Sequence, residues 1–356
     1  MPMPSIRELP PLLVRADASA AIGTGHVIRS LALIQAWLRQ GGAAIFLSRC
    51  DNGPLREHIS AAGMDFIPLE SNEDSVNFEA MRALLAQKKT FFVVLDGYHF
   101  GPEQQKAVRA AGHRLLFIDD MAHFSNYHAD ILLNQNIGAS KLSYRCEPKT
   151  MLLLGPRYAL LRPEFAEARR RVRTVREAAR RILVTLGGCD SENVTLKVIG
   201  ALRRLGSSRF EVRIVLGSAN PHVDSIRAAA ASLPMFAEVL IDARDMASQI
   251  SWADVAITAA GSTCWELACL GLTPVTIVIA ENQRAVADEL DMAGISLNAG
   301  WHGDLSAEHL TMKIESLLYS SFRRLRMSQQ GRELVDGRGA DRVISALLNL
   351  SCVEAA

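Results

Sequence analysis

Apolar residues alternate between two patterns along most of this chain. Short runs such as Leu12–Ala16, Phe91–Leu95 and Leu115–Ile118 are bounded by polar or glycine-rich residues, the pattern of strands covered on both faces. Between them, apolar residues recur at helical spacing, as in the segment ending at Leu38. The alternation predicts further strands at 43–48, 64–68, 130–133 and 151–154, then a second series at 182–186, 211–216, 238–241 and 254–258. Helices are expected at 53–62, at 245–254 and from Ser262 and Thr263 onward. Strand followed by helix, repeated, is the signature of parallel α/β sheets.

At 356 residues the chain is too long for one ordinary core. The expected architecture is therefore two Rossmann-like β/α domains facing a central cleft. An N-terminal domain is expected over 1–165 and a basic interdomain connector over 166–180. A C-terminal domain over 181–335 and a helical tail over 336–356 complete the division. The arginine-rich run at 168–181 has no interleaved aromatic residue, so it reads as a solvated connector rather than a nucleic-acid patch. No short repeat or low-complexity segment interrupts this plan.

Composition narrows the function classes. A formal net charge of +1 gives no electrostatic case for nucleic acid or an anionic membrane. No apolar run approaches the roughly 20 residues that span a bilayer, and the first eight residues lack a signal-peptide core, so a cytoplasmic location is expected. The six cysteines include no C-x-x-C pair and fit reduced thiols. No H-E-x-x-H or similar cluster is present among the nine histidines, and neither a metal nor a cofactor is expected.

The candidate chemistry gathers where strands stop. At Ala259-Ala-Gly-Ser-Thr263 a strand turns through Gly261 into a helix, whose unpaired N–H groups at Ser262 and Thr263 suit a diphosphate. Glu266 lies one turn further on, where it can accept ribose hydroxyls. The bland alternative is that Gly261 only makes a tight turn and Glu266 is solvated. Gly187-Gly188 followed by Asp190 and Ser191 forms a second turn into a helix, with Asp or Ser as cap. In the first half, a glycine loop carries Asp17, Gly23-x-Gly25, His26 and Arg29. Ile28 stands at the third glycine position and the loop is too long, which rejects a classical NAD site. His26, on the first helical turn, is placed to project into a cleft, and histidine is the side chain that titrates near neutral pH. Further polar groups stand at Asp96-Gly-Tyr98-His99, Asp119-Asp120 and Asn134-Gln-Asn136, where they serve either a site or merely loop capping.

Together these segments resemble a known family. Arg15-Ala-Asp-Ala-Ser-x-x-Ile-Gly-x-Gly-His-Val-x-Arg29, Asp96-x-Tyr98, Gly155-Pro-Arg-Tyr-Ala-Leu-Leu-Arg-Pro-Glu-Phe165, Leu186-Gly-Gly-x-Asp190, Ala260-Gly-Ser-Thr-x-Trp-Glu-Leu267 and Glu281-Asn-Gln283 look like the UDP-2,4-diacetamido-2,4,6-trideoxy-β-L-altropyranose hydrolases of pseudaminic acid biosynthesis. The likeness runs through nearly the whole chain in order. It implies a glycosyltransferase-B (GT-B) architecture and a metal-independent hydrolase releasing UDP and a free sugar. By the resemblance His26 is the general base that activates water, with Asp17 orienting it or holding a sugar hydroxyl. Gly187, Gly188, Gly261, Ser262, Thr263 and Glu266 then take UDP, and Gly25, Arg29, Tyr98, Asn282 and Gln283 the sugar. The implied partners are a UDP-sugar and water. Three alternatives stay open: a UDP-sugar glycosyltransferase of the same fold in surface-polysaccharide synthesis, a non-catalytic nucleotide-sugar-binding protein, and a sugar-nucleotide 2-epimerase.

Overall fold

The computed structural model describes residues 9–19, 22–87, 91–243 and 245–352. Residues 1–8 of the expected first domain, Ala20 and Ala21 of the glycine loop, the side chain of Cys352 and residues 353–356 of the tail lie outside the described residues.

The first half is a seven-stranded parallel sheet. In chain order it runs β1 (Leu12–Ala16), α1 (Gly25–Arg39), β2 (Ala44–Ser48), α2 (Gly53–Ser60), β3 (Asp65–Pro68), α3 (Asp74–Leu85), β4 (Phe92–Asp96), α4 (Pro102–Ala110), β5 (Arg114–Ile118), β6 (Ile131–Asn134) and β7 (Met151–Leu154). The strand order is β3-β2-β1-β4-β5-β6-β7, so the winding reverses between β1 and β4. Both central strands are buried along their whole length, as unbroken apolar runs require. Trp37 of α1 is fully buried, meets Phe92 edge-on at 5.4 Å and donates its indole N–H to the Ala43 carbonyl, so its one polar atom is satisfied.

Helix α5 (Pro163–Ala168) and the arginine-rich segment lead to the second sheet. Its elements are β8 (Arg181–Thr185), α6 (Val194–Leu205), β9 (Glu211–Leu216), α7 (Val223–Ala231), β10 (Phe236–Ile241), α8 (Met246–Trp252), β11 (Val255–Ala259), α9 (Thr263–Leu270), β12 (Thr273–Val278), α10 (Arg284–Met292) and β13 (Leu297–Trp301). Strand order is β10-β9-β8-β11-β12-β13, again parallel, with the reversal between β8 and β11. Open sheets bind ligands beyond the carboxyl ends of the strands at such reversals. Two reversals therefore mark two half-sites, one in each sheet.

Helices α11 (Ala307–Leu318), α12 (Ser321–Leu334) and α13 (Gly339–Cys352) finish the described chain. The last returns to the first sheet: Val343, Ile344 and Leu347 are buried in one core with Val27, Leu31 and Ile34 of α1. Gly339 opens α13 against the Tyr158–Ala159 backbone, where an added Cβ would overlap the Ala159 carbonyl. Gly339→Ala should therefore cost about 1–3 kcal/mol of stability through overpacking. Urea unfolding checks this, and an unchanged midpoint would show that the junction relaxes freely.

The arginine-rich segment is not simply solvated. Arg169 donates to the carbonyls of Cys269 and Arg332, Arg173 to those of Ile250 and Ala253, and Arg176 pairs with Asp254 at 2.6 Å. It is laced to the second half because carbonyls left open at helix ends accept guanidinium donors. No helix of the described residues is long and apolar enough to cross a membrane.

Candidate functional site

Beyond the carboxyl ends of both sheets lies a cleft of about 440 Å³, lined from both halves. From the first half come Gly23, Gly25, His26, Arg29, Tyr98 and Asp120. From the second come the Gly187-Gly188 turn, Gly261–Thr263, Glu266, Asn282 and Gln283. With the exception of Asp17, every residue to which the resemblance gives a role in UDP binding, sugar binding or catalysis lines this one cleft.

His26 sits on the first turn of α1, just after the β1 loop. Its Nδ1 is 2.6 Å from Oδ1 of Asp96, the last residue of β4. The carboxylate can only accept, and at 2.6 Å it stands nearer to Nδ1 than the competing Arg29 Nη2 donor at 3.1 Å, so Nδ1 carries the proton and donates it to the carboxylate. The lone pair is then left on Nε2. Arg29, one turn along the same helix, donates to Asp96 from Nε at 2.7 Å and Nη2 at 2.6 Å. It also makes a two-pronged contact with Asp120, both distances being 2.9 Å. Burial alone would raise the Asp96 carboxyl, but Arg29 and His26 overcome it and hold the group well below the usual carboxylate range. Burial likewise pulls on Arg29, yet Asp120 and Asp96 keep its pKa well above its ordinary value. The imidazole is thus backed by a permanent, fully bonded anion.

Tyr98 joins the halves. Its ring meets His26 edge-on at 5.0 Å, its hydroxyl lies 3.3 Å from Asp120, and it accepts a hydrogen bond from Asn282 of the second half at 3.0 Å. Burial, followed by the Asp120 charge, pushes the phenol up to about 12, so it is a neutral hydrogen-bonding group at ordinary pH.

The second half offers backbone. Gly187 adopts φ +90°, a left-handed conformation open to glycine, and lets the chain turn after β8. A Cβ on Gly188 would lie 2.8 Å from Thr24 Oγ1 of the first half, so these two loops touch. The cap of α6 differs in detail from expectation. Asn193 is the terminal residue, while the Asp190 carboxylate accepts from the amides of Val194 at 2.8 Å and Thr195 at 3.0 Å. Ser262 precedes α9 without a side-chain cap bond; the amides of Cys264 and Trp265 turn back to the Gly261 and Ser262 carbonyls at 3.0 Å, which leaves those of Ser262 and Thr263 to a ligand. Glu266 is buried rather than solvated, and burial raises its carboxyl to about 7 despite Arg162 at 3.7 Å.

Asp17 requires a correction as the group that orients His26. Its carboxylate is buried away from the cleft, bonded to Arg15 and to the Arg49 amide at 2.6 Å, with His99 Nε2 at 3.4 Å. Adjacency of β1 and β4 brings Asp96 to His26 instead, across 70 positions of sequence. Asp96, Asp120 and Arg162 were not among the assigned site residues. The signal was present for the two aspartates, which stand at strand ends, and for Arg162, which lies in the quoted Gly155–Phe165 segment.

Comparison with known proteins places this geometry in context. Residues 181–338 match the model of the glycosyltransferase family 28 C-terminal domain. Among curated proteins, the chain is 26% identical over 339 residues to the spore coat polysaccharide biosynthesis protein SpsG of Bacillus subtilis, covering 94% of this chain and 97% of that one. It is 25% identical over 291 residues to the UDP-2,4-diacetamido-2,4,6-trideoxy-β-L-altropyranose hydrolase of Campylobacter jejuni, covering 80% and 97%. Among solved structures, MurG of Acinetobacter baumannii superposes with a TM-score of 0.65 at 17% identity, covering 96% of this chain and 100% of that one. The fold is therefore GT-B, as the two parallel sheets and their facing strand ends require.

Proposed function

We propose that this chain hydrolyses a UDP-linked diacetamido-trideoxy hexose, UDP-2,4-diacetamido-2,4,6-trideoxy-β-L-altropyranose, to UDP and the free sugar. The observation that carries the reading is the His26–Asp96 pair in the cleft, with Nδ1–H committed to the carboxylate and Nε2 left basic. In this reading residues 181–335 hold UDP and residues 1–165 supply the base. Glu266 takes the ribose, while the amides around Gly187, Gly188, Ser262 and Thr263 take the diphosphate, Gly261 shaping the turn between β11 and α9. His26 Nε2 accepts a proton from water as the oxygen attacks the anomeric carbon. The anomeric C–O bond breaks, and its electron pair leaves on UDP. Negative charge growing on the diphosphate is stabilised by donors already in place. Arg29, Tyr98, Asn282 and Gln283 surround the sugar, and the similarity to the Campylobacter hydrolase supports this choice of substrate.

A GT-B glycosyltransferase would use the same cleft with a hydroxyl acceptor in place of water, and the family 28 match keeps that reading in view. The deciding experiment is UDP release from the named substrate with no acceptor added. Steady turnover is expected. Tight UDP binding without release would sink the hydrolase, and release that appears only with an added sugar or lipid acceptor would establish the transferase.

A further inference from the structure

On the far side of the second sheet, at the amino ends of β11 and β12, a small cavity lies among three arginines, two threonines and one carboxylate. It has a volume of about 10 Å³, close to one water-sized sphere. Its walls include Arg173 and Arg176 of the arginine-rich segment, Arg324 of α12, Thr273 and Asp254. Three guanidinium groups thus face one carboxylate.

That carboxylate is fully engaged. Asp254 Oδ1 takes Arg176 at 2.6 Å, and Oδ2 takes the amides of Arg180 at 2.9 Å and Arg181 at 3.1 Å. Arg173 donates to the carbonyls of Ile250 and Ala253. Arg324 donates to the carbonyls of Leu317, Leu318, Arg176 and Glu177. Carbonyls take part of these donors but cancel no net charge, and an uncompensated buried cation is costly. Arg324 is 2% exposed. Burial pulls Arg173 down to about 10 even with Asp254 nearby, in line with a cation short of counter-charge.

A second observation points into the same space. Thr273 is 2% exposed, and its Oγ1 is buried with no hydrogen-bond partner. Buried hydroxyls are nearly always paired, so an orphan beside two under-neutralised guanidinium groups needs a missing acceptor.

The geometry points to a binding site for a small monatomic anion of the halide class, held by Arg173, Arg324 and the Thr273 hydroxyl. Such an ion accepts from the Thr273 hydroxyl and from the guanidinium N–H groups that the carbonyls leave free, and it returns the negative charge that Asp254 alone does not supply. The cavity is too small for phosphate or sulfate. Because it lies at the opposite sheet edge from the cleft, the anion pins the arginine-rich segment to β11, β12 and α12 and acts on stability. Its presence is independent of what the cleft turns over.

Two measurements test this on the full chain. Crystals soaked in sodium bromide are expected to show an anomalous peak between the Arg173 and Arg324 guanidinium groups and Thr273 Oγ1; only a water there would overturn the site. Thermal unfolding in sodium chloride against sodium gluconate at equal ionic strength is expected to give a midpoint about 2 °C higher in chloride. Sodium sulfate, matched in ionic strength, provides a control for an anion too large to enter. Thr273→Val keeps the shape of the side chain and should lose most of the chloride-specific shift, and Arg176→Gln, on the solvent side, should weaken it. Equal midpoints in chloride and gluconate, or an undiminished chloride response in Thr273→Val, would refute the assignment.

Discussion

Replacing His26 with alanine is expected to lower the rate of UDP release by about 10²–10⁴-fold, the usual span of general-base assistance. Binding of UDP should change little, because the proposed nucleotide half-site is built from the second sheet. Asp96→Asn is the more searching variant. An amide can present either its oxygen or its NH₂ to the imidazole, so the Nδ1–H tautomer is no longer enforced and the charge that favours the imidazolium is gone. A fall of at least tenfold in kcat with a smaller change in KM is expected, seen in single-turnover assays alongside UDP calorimetry. Since Asp96 also braces Arg29, a circular dichroism spectrum and an unchanged UDP affinity must accompany the rate. A His26→Ala enzyme that turns over at the wild-type rate would remove His26 from the chemistry.

The contrast between Asp96 and Asp17 shows how far residue order can be read. Alternating apolar runs and helical spacing disclosed both sheets, because a strand buried on two faces has few other ways to be written. Strand-end polar residues disclosed the cleft, because parallel sheets gather those ends on one edge. Which carboxylate meets His26 is another matter. Asp17 is close in sequence, but the side chain of a residue just past β1 turned toward Arg15 and Arg49. Asp96 reached the imidazole through lateral strand pairing, which leaves no local trace. The anchoring of the arginine-rich segment is hidden for a related reason. Its acceptors are main-chain carbonyls of Ile250, Ala253 and Cys269, and every residue type offers a carbonyl. Helix α13 shows the same limit: a helical tail is legible in the sequence, but not that its apolar face belongs to the first core.

Glu266 should be the most sensitive point of the nucleotide half-site. Ribose hydroxyls are donors, and they bind an ionised carboxylate more strongly than a protonated one. Glu266→Ala is therefore expected to weaken UDP binding about 10- to 100-fold by calorimetry, the loss of one or two charge-assisted bonds. Burial raises this carboxyl from 4.5 to about 7 in the folded chain. The folded state then holds a proton that the unfolded chain releases between those values, so this residue's contribution to stability falls as pH rises from about 4.5 to 7. The full change is on the order of 3 kcal/mol. Glu266→Gln, which does not titrate, should remove that slope and be the more stable protein at pH 8. Binding runs in the opposite direction: UDP selects the ionised form, so wild-type affinity should rise with pH up to about 7 and then level off, with proton release on binding below it. Calorimetry in two buffers of different ionisation enthalpy at pH 6 reads that release directly. Proton uptake, or a Glu266→Gln variant that binds UDP with the same pH profile as wild type, would place the ribose elsewhere in the cleft.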